Sequence, residues 1–299
     1  MHEYSWGPYR CTYQFHSMGT DPDPQSGLSL LLIHPIGVGL SGQFWQPLVD
    51  HCQQRSTVGS AVVLYVPDLL GCGGSDKPHR AYYPSDWADQ LSALVTGVIQ
   101  QPVVVVVQGA LLPVAVRLLT QTPAAAQIRG LVLSGPPAWS LMTQATSPRQ
   151  QRFSWSLLDS PLGWAFYRYA RRAAFLRSFS ERQLFARAKD VTDEWLAMLT
   201  EGAADMASRH AVLSFLAGLW RQGYAEAMAQ LSVPTLVVMG EQASTIDRVA
   251  SGARDQSRLQ DYLQHLPNAK GKTIPGRNVL PYESTAAFAE VVFSFIDSL

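Results

Sequence analysis

Between Pro102 and Leu119 the chain contains no Ser, Thr, Cys, Asp, Glu or His, although a strand-turn-helix junction falls inside that stretch. No nucleophile, acid or base can come from this junction in any register. Cysteine is equally scarce. Cys11, Cys52 and Cys72 are an odd number with no metal-ligand spacing, which excludes a disulfide framework, predicts a reducing compartment and gives no reason to expect a metal or other cofactor. Charge of one sign is missing too, since 23 basic residues balance 23 acidic ones. There is thus no overall attraction toward nucleic acid. No apolar run reaches the roughly 18–20 residues needed to span a bilayer. The opening MHEYSWGPYR lacks a basic region followed by an apolar one, which predicts no secretory leader. A cytoplasmic protein, at most peripheral to a membrane, is expected.

What is present alternates between two periods. Leu28 to Ile33, Ala61 to Val66, Val103 to Val107, Ile128 to Ser134 and Thr235 to Met239 are short apolar runs, as in strands buried on both faces of a parallel sheet. Tyr9 to Met18 reads as an opening strand or hairpin. Ser85 to Ile99, Leu111 to Thr120 and Ser284 to Ile296 have helical length and spacing; in the last, Phe288, Val291, Val292 and Phe295 share a face. Asp21 to Gln25 reads as a loop. This order predicts an α/β fold with a mostly parallel, doubly wound sheet. Trp139 to Gln230 breaks the alternation, being helical in composition without strand signals. The expected organisation is a core of residues 1–138 and 231–299 with a helical cap, 139–230, inserted in it.

Four motifs in order resemble the α/β-hydrolase family over almost the whole length. His34-Pro35-Ile36-Gly37 follows a strand where the family has His-Gly. Asp68-Leu69-Leu70-Gly71-Cys72-Gly73-Gly74-Ser75-Asp76 resembles its D-L-x-G-x-G-x-S-D turn. Val233-Pro234-Thr235-Leu236 through Gly240 is similar to the strand that presents the family's acid. Ile274-Pro275-Gly276 and Leu280-Pro281-Tyr282-Glu283 resemble the frame of its histidine loop. The segment from His34 to Trp45 is also similar to a group of α/β-hydrolase-like proteins of photosynthetic organisms.

The resemblance implies a nucleophile elbow of the form G-x-S-x-G, and here Gly109 stands at the nucleophile, with Val107 and Leu111 at the flanking small positions. Ala243 stands at the acid and Val279 at the base. A serine hydrolase needs a nucleophile, a base and an orienting acid. With all three replaced, the expectation is a degenerate triad and a non-catalytic protein that binds a small apolar molecule, a protein partner or a membrane surface. Glycine keeps a left-handed turn without strain.

Other residues have to be weighed. His34 can be read as a base, alone or with Asn278 and a bound water, which would leave an enzyme with non-family residues acting on a small apolar ester. It reads better as a loop-structuring residue. Glu241 and Asp247 could supply an acid, but without a histidine to orient they read as solvated carboxylates. Ser75 and Ser134 have no evident base, and Asp68 is expected to fix its turn by accepting backbone hydrogen bonds. Gly71, Gly73 and Gly74 are not a phosphate loop, as no G-K-S/T follows. A ligand pocket would be lined by His34, Pro35, Ile36, Gln108, Gly109, Ala110, Trp139, Trp164, Asn278 and Val279. Within the cap, nine basic residues between Arg149 and Lys189 face only Asp159 and Glu181. Arg168, Arg171, Arg172 and Arg177 form its centre, and aromatics from Phe153 to Phe185 are interleaved. That composition allows either a contact with anionic lipid by a peripheral scaffold, or helices whose aromatics face the pocket while their arginines are solvated.

Overall fold

Five consecutive valines, Val103 to Val107, leave a chain no face for water, and they form the centre of the sheet. A computed structural model describes residues 1–18, 28–55, 62–243 and 255–299. The strands are β1 (His2–Trp6), β2 (Tyr9–Met18), β3 (Leu28–Ile33), β4 (Val62–Pro67), β5 (Val103–Gln108), β6 (Ile128–Ser134), β7 (Thr235–Gly240) and β8 (Ala269–Ile274). Their order is β1-β2-β4-β3-β5-β6-β7-β8. The first two strands pair antiparallel, β2 joins β4 antiparallel, and every later pairing is parallel. Alternation along the buried strands divides the core in two. Leu31, Ile33, Val103, Val105 and Val107 point to one apolar cluster, and Leu30, Leu32, Val104 and Val106 to the other.

Helices cover both faces. On the core these are α1 (Gln46–Arg55), α2 (Pro84–Leu94) and α3 (Leu112–Gln121). The insertion follows with α4 (Trp139–Thr143), α5 (Pro148–Leu158), α6 (Pro161–Ala170), α7 (Ala173–Phe179), α8 (Asp193–Gly202), α9 (Arg209–Leu216) and α10 (Ala225–Ala229). The core resumes with α11 (Asp255–His265), α12 (Leu280–Glu283) and α13 (Thr285–Ile296). Buried residues of the insertion divide between the same two clusters: Tyr167 and Ala211 join one, Phe185 and Trp195 the other.

Several expectations need correction. The helix predicted to reach Ile99 changes to a wider π turn at Val95–Ile99, ended by Gln100 in the left-handed region (φ 55°). Both edge strands, β1 and β8, lack the apolar signature of the interior, and α1 and α11 were not anticipated. Asp21 to Gln25, Ser244, Thr245 and Asp247 lie outside the described residues. Among the described residues, no helix is long and apolar enough to cross a membrane.

Cys11 and Cys72 are free thiols and buried, and Cys52 is buried as well. Burial pushes the Cys11 thiol up to about 11 and raises that of Cys72 further. Both are therefore held as thiols, which are poor nucleophiles and poor metal ligands.

Candidate functional site

Strand β5 ends at Gln108, and Gly109 turns the chain with φ +64° into a short 3-10 segment that leads to α3. A Cβ added at Gly109 would meet nothing within 4 Å. The turn thus keeps the left-handed backbone of an elbow and opens onto a small hollow. Val107 and Leu111 are fully buried beside it, so larger neighbours have not prevented the turn.

The two other positions expected from the family resemblance are buried. Val279 and Ala243 are each 4% exposed. Val279 belongs to the apolar cluster that holds Phe44, Trp45, Phe185, Trp195 and Leu280, so an aliphatic side chain packs where a histidine would have to titrate. The loop around it is laced to the insertion. Asn278 donates its amide N–H to the carbonyl of Leu184 (3.1 Å) and its side-chain Nδ2 to that of Gln183 (2.7 Å). Glu283 accepts from the N–H groups of Ala186 (2.6 Å) and Arg277 (2.8 Å). From the elbow side, Gln108 Nε2 donates to the Asn278 carbonyl (2.6 Å). Two buried atoms here have no hydrogen-bond partner, Gln108 Oε1 and Ser134 Oγ, and their residues are register partners on β5 and β6.

His34 is fully buried and both its nitrogens are engaged. Nδ1 lies 2.9 Å from the Pro35 carbonyl, and Nε2 accepts the Leu69 N–H (3.1 Å). Burial lowers its pKa below the usual imidazole value despite the nearby Asp68 charge, so the ring is neutral at neutral pH. With Nε2 already accepting a backbone proton, this imidazole has no lone pair free for a substrate. His265 lies at the end of α11, stacked on Trp139 at 4.7 Å.

Among the predicted pocket residues, the structure gathers Gln108, Gly109, Asn278 and Val279 around the end of β5. Pro35 and Ala110 are partly exposed, and Ile36 is buried. Trp139 and Trp164 depart from the expectation. Trp139 packs edge-on against Tyr262 of α11, because the chain leaving β6 runs toward that helix. Trp164 is 43% exposed on the outer side of α6, because Gly163, Tyr167 and Ala170 form that helix's buried face. Glu241 is exposed, and Ser75 holds a turn by donating to the Asp68 carbonyl (2.7 Å). Asp68 itself fixes the turn as expected, accepting from Thr12 Oγ1, Gly42 N–H and Gly74 N–H.

Arginines of the insertion find partners within it. Arg177 pairs with Asp193 (2.8 Å), and Arg171 donates to the Ala204 carbonyl (3.1 Å). Arg168 and Arg172 lie over the rings of Trp164 and Tyr169. Tyr167 and Phe185 are buried, whereas Phe153, Phe166 and Tyr169 face out. The aromatics of this segment thus do not all line a pocket. Sequence reading also missed His79, Asp159 and His210, which converge from three segments with no local spacing to announce them.

Comparison with known proteins agrees with the sheet order. No curated protein is similar enough in sequence to count as a relative. Among solved structures, the chain resembles a serine hydrolase involved in carbazole degradation (TM-score 0.72, 16% identity, 100% of this chain and 98% of that one). It also resembles a thermophilic esterase from Thermogutta terrifontis (TM-score 0.69, 17% identity, 97% and 94%). A third is an enol-lactonase from Burkholderia xenovorans (TM-score 0.70, 14% identity, 99% of each). At these identities the likeness establishes the fold. The family model described as "Alpha/beta hydrolase family" matches residues 30–291, and the chain belongs to that family.

Proposed function

We propose that this protein is a non-catalytic α/β-hydrolase-fold protein that docks its helical cap on an anionic membrane surface. The observation that carries the reading is the crowding of exposed apolar side chains on two adjacent helices. Six of the eleven large apolar residues exposed among the described residues lie on α5 and α6: Phe153, Leu157, Leu162, Trp164, Phe166 and Tyr169. On α6, Leu162, Phe166 and Tyr169 follow one another at helical spacing on one exposed stripe. Such patches on a protein surface mark contact sites. The surrounding excess of arginine supplies the matching charge, since apolar side chains enter the interface while Arg meets headgroups.

Loss of chemistry rests on Gly109, Ala243 and Val279, and on His34 being consumed by its own loop. A serine placed at Gly109 finds room for its Cβ but inherits φ +64°, a strain of about 1–3 kcal/mol for a non-glycine residue. Gly109→Ser is therefore expected to lower Tm by a few degrees and to hydrolyse activated esters no faster than buffer. Turnover by this variant would reveal a base that the reading has missed.

Membrane docking is tested by sedimentation with vesicles. Binding to vesicles containing phosphatidylglycerol, with little binding to pure phosphatidylcholine, is expected at low salt, weakening as salt rises. Phe166→Glu removes the exposed part of an apolar side chain from the inserting stripe and places a carboxylate against anionic lipid, so binding should fall by at least about tenfold. Absence of vesicle binding at low salt, or binding unchanged by the variant, would overturn the reading. A protein recovered on the same patch instead of lipid would do so as well.

A second reading is favoured by the orphaned Gln108 Oε1 and Ser134 Oγ beside the hollow at Gly109. A small apolar ligand carrying one hydrogen-bond donor would satisfy the acceptor that the protein leaves open. Native mass spectrometry of protein from its own source tests this through any copurifying molecule, and an empty pocket there counts against it.

A further inference from the structure

The polar cluster with the least explanation lies where the cap meets the core. His79 stands in the loop between β4 and α2, Asp159 follows the last residue of α5, and His210 is on α9. One donor atom from each lies within 4.8 Å of the others. His79 Nε2 is 2.7 Å from Asp159 Oδ1, and His210 Nδ1 is 3.6 Å from the same oxygen. The two imidazoles stack with centroids 4.1 Å apart.

His210 is the residue that a purely structural reading does not satisfy. Its side chain is 4% exposed, yet Nδ1 has no hydrogen-bond partner. An orphaned buried polar atom of this kind costs about 1–3 kcal/mol. Burial, then Arg209, then His79 lower its pKa to about 4, against the opposing pull of Asp159. At neutral pH the ring is therefore uncharged, which is the form that ligates a metal.

The frame around the cluster is rigid and built from both parts of the protein. Tyr82 donates its hydroxyl to the Pro78 carbonyl (2.8 Å) and its N–H to Ser214 Oγ (2.9 Å), and that hydroxyl donates to the His210 carbonyl (2.7 Å). Gln151 on α5 donates to the carbonyls of Gly218 and Arg221 just beyond α9 (3.1 Å each). The loop of His79 and the start of α5 are thus both tied to α9 and the residues just beyond it.

We propose that His79, Asp159 and His210 form a binding site for a divalent transition-metal ion of the zinc class, which clamps the cap to the core. Two imidazoles and one carboxylate suit a borderline cation, whereas calcium and magnesium prefer an all-oxygen set. Bonds of about 2.0–2.2 Å in a tetrahedral site set the ligand atoms roughly 3.3–3.5 Å apart, with water at the fourth position. The 3.6 Å separation already fits, and the 2.7 Å one must open slightly. His79, whose side chain is 63% exposed, is the ligand free to swing out of the stack to do so. The ion would satisfy the buried His210 nitrogen.

The test is titration of metal-free protein with zinc chloride, read by calorimetry and by thermal melting. One ion should bind with a dissociation constant of about 10 μM or tighter and raise Tm by several degrees when in excess. His79→Ala and Asp159→Asn alter partly exposed residues and should leave the metal-free Tm near that of the parent, while each weakens zinc binding by at least about tenfold. Binding no tighter than millimolar would overturn the proposal. So would zinc affinity and stabilisation that persist in both variants, since the ion would then lie elsewhere. The site stands or falls independently of membrane docking, which vesicle sedimentation reads separately.

Discussion

Asp68→Ala is expected to lower the free energy of unfolding by about 3–5 kcal/mol, read as a lower urea midpoint with an unchanged slope. The carboxylate is 5% exposed and accepts three hydrogen bonds: Thr12 Oγ1 at 2.9 Å, and the N–H groups of Gly42 and Gly74 at 2.8 Å each. These donors belong to β2, to the turn that leads into α1 and to the turn after β4. Alanine would leave two backbone N–H groups without an acceptor among tightly approached glycines that no side chain can replace. Asp68→Asn should recover only part of the loss, since its amide presents N–H groups where a second oxygen is needed. A loss under about 1 kcal/mol for the alanine variant would mean that the turns hold without the carboxylate.

A loss of similar size, about 3–5 kcal/mol, is expected for Trp195→Ala. The indole is fully buried, with ring centroids 4.7 Å from Tyr282, 5.1 Å from Phe185 and 6.4 Å from Phe44. Its Nε1–H donates to Ser180 Oγ at 2.8 Å, so truncation also orphans that partner. Because Trp195 and Phe185 belong to the cap whereas Tyr282 and Phe44 belong to the core, the cavity opens along their junction. Limited proteolysis should therefore cut the variant within the cap at protease levels that spare the parent. Equal cutting of both proteins, with the stability loss present, would show that the junction does not depend on this cluster.

The interior of the sheet was legible because strands buried on both faces cannot hide: Val103 to Val107 and Leu131 to Leu133 have no polar residue to blur the signal. The edges were not. β8 reads Ala-Lys-Gly-Lys-Thr-Ile, with its lysines exposed, a composition that protects an open edge from further pairing and so removes the apolar pattern by which a strand is recognised. β1 is five residues long and keeps only Tyr4 and Trp6 against the core. Motif resemblance pointed to Gly109, Val279 and Ala243, and of these Gly109 does lie at a left-handed turn after β5. Tertiary direction could not be read: Trp164 faces out because small residues occupy the buried face of α6, and composition alone does not record which face that is. Nor could His79 and His210 be paired, for they meet through Tyr82 and Ser214, which carry no motif.

The burial of Val279 also bears on how readily hydrolysis could arise at this turn. A histidine there would first have to displace an aliphatic side chain from an apolar cluster, and it would gain nothing until Gly109 and Ala243 had changed as well. A triad needs all three changes, so any route toward catalysis passes through two intermediates with no activity to select for. On the proposed non-catalytic reading, the packing acts as a ratchet: neutral drift can alter the protein's surface freely, but it cannot easily install a reaction at the centre.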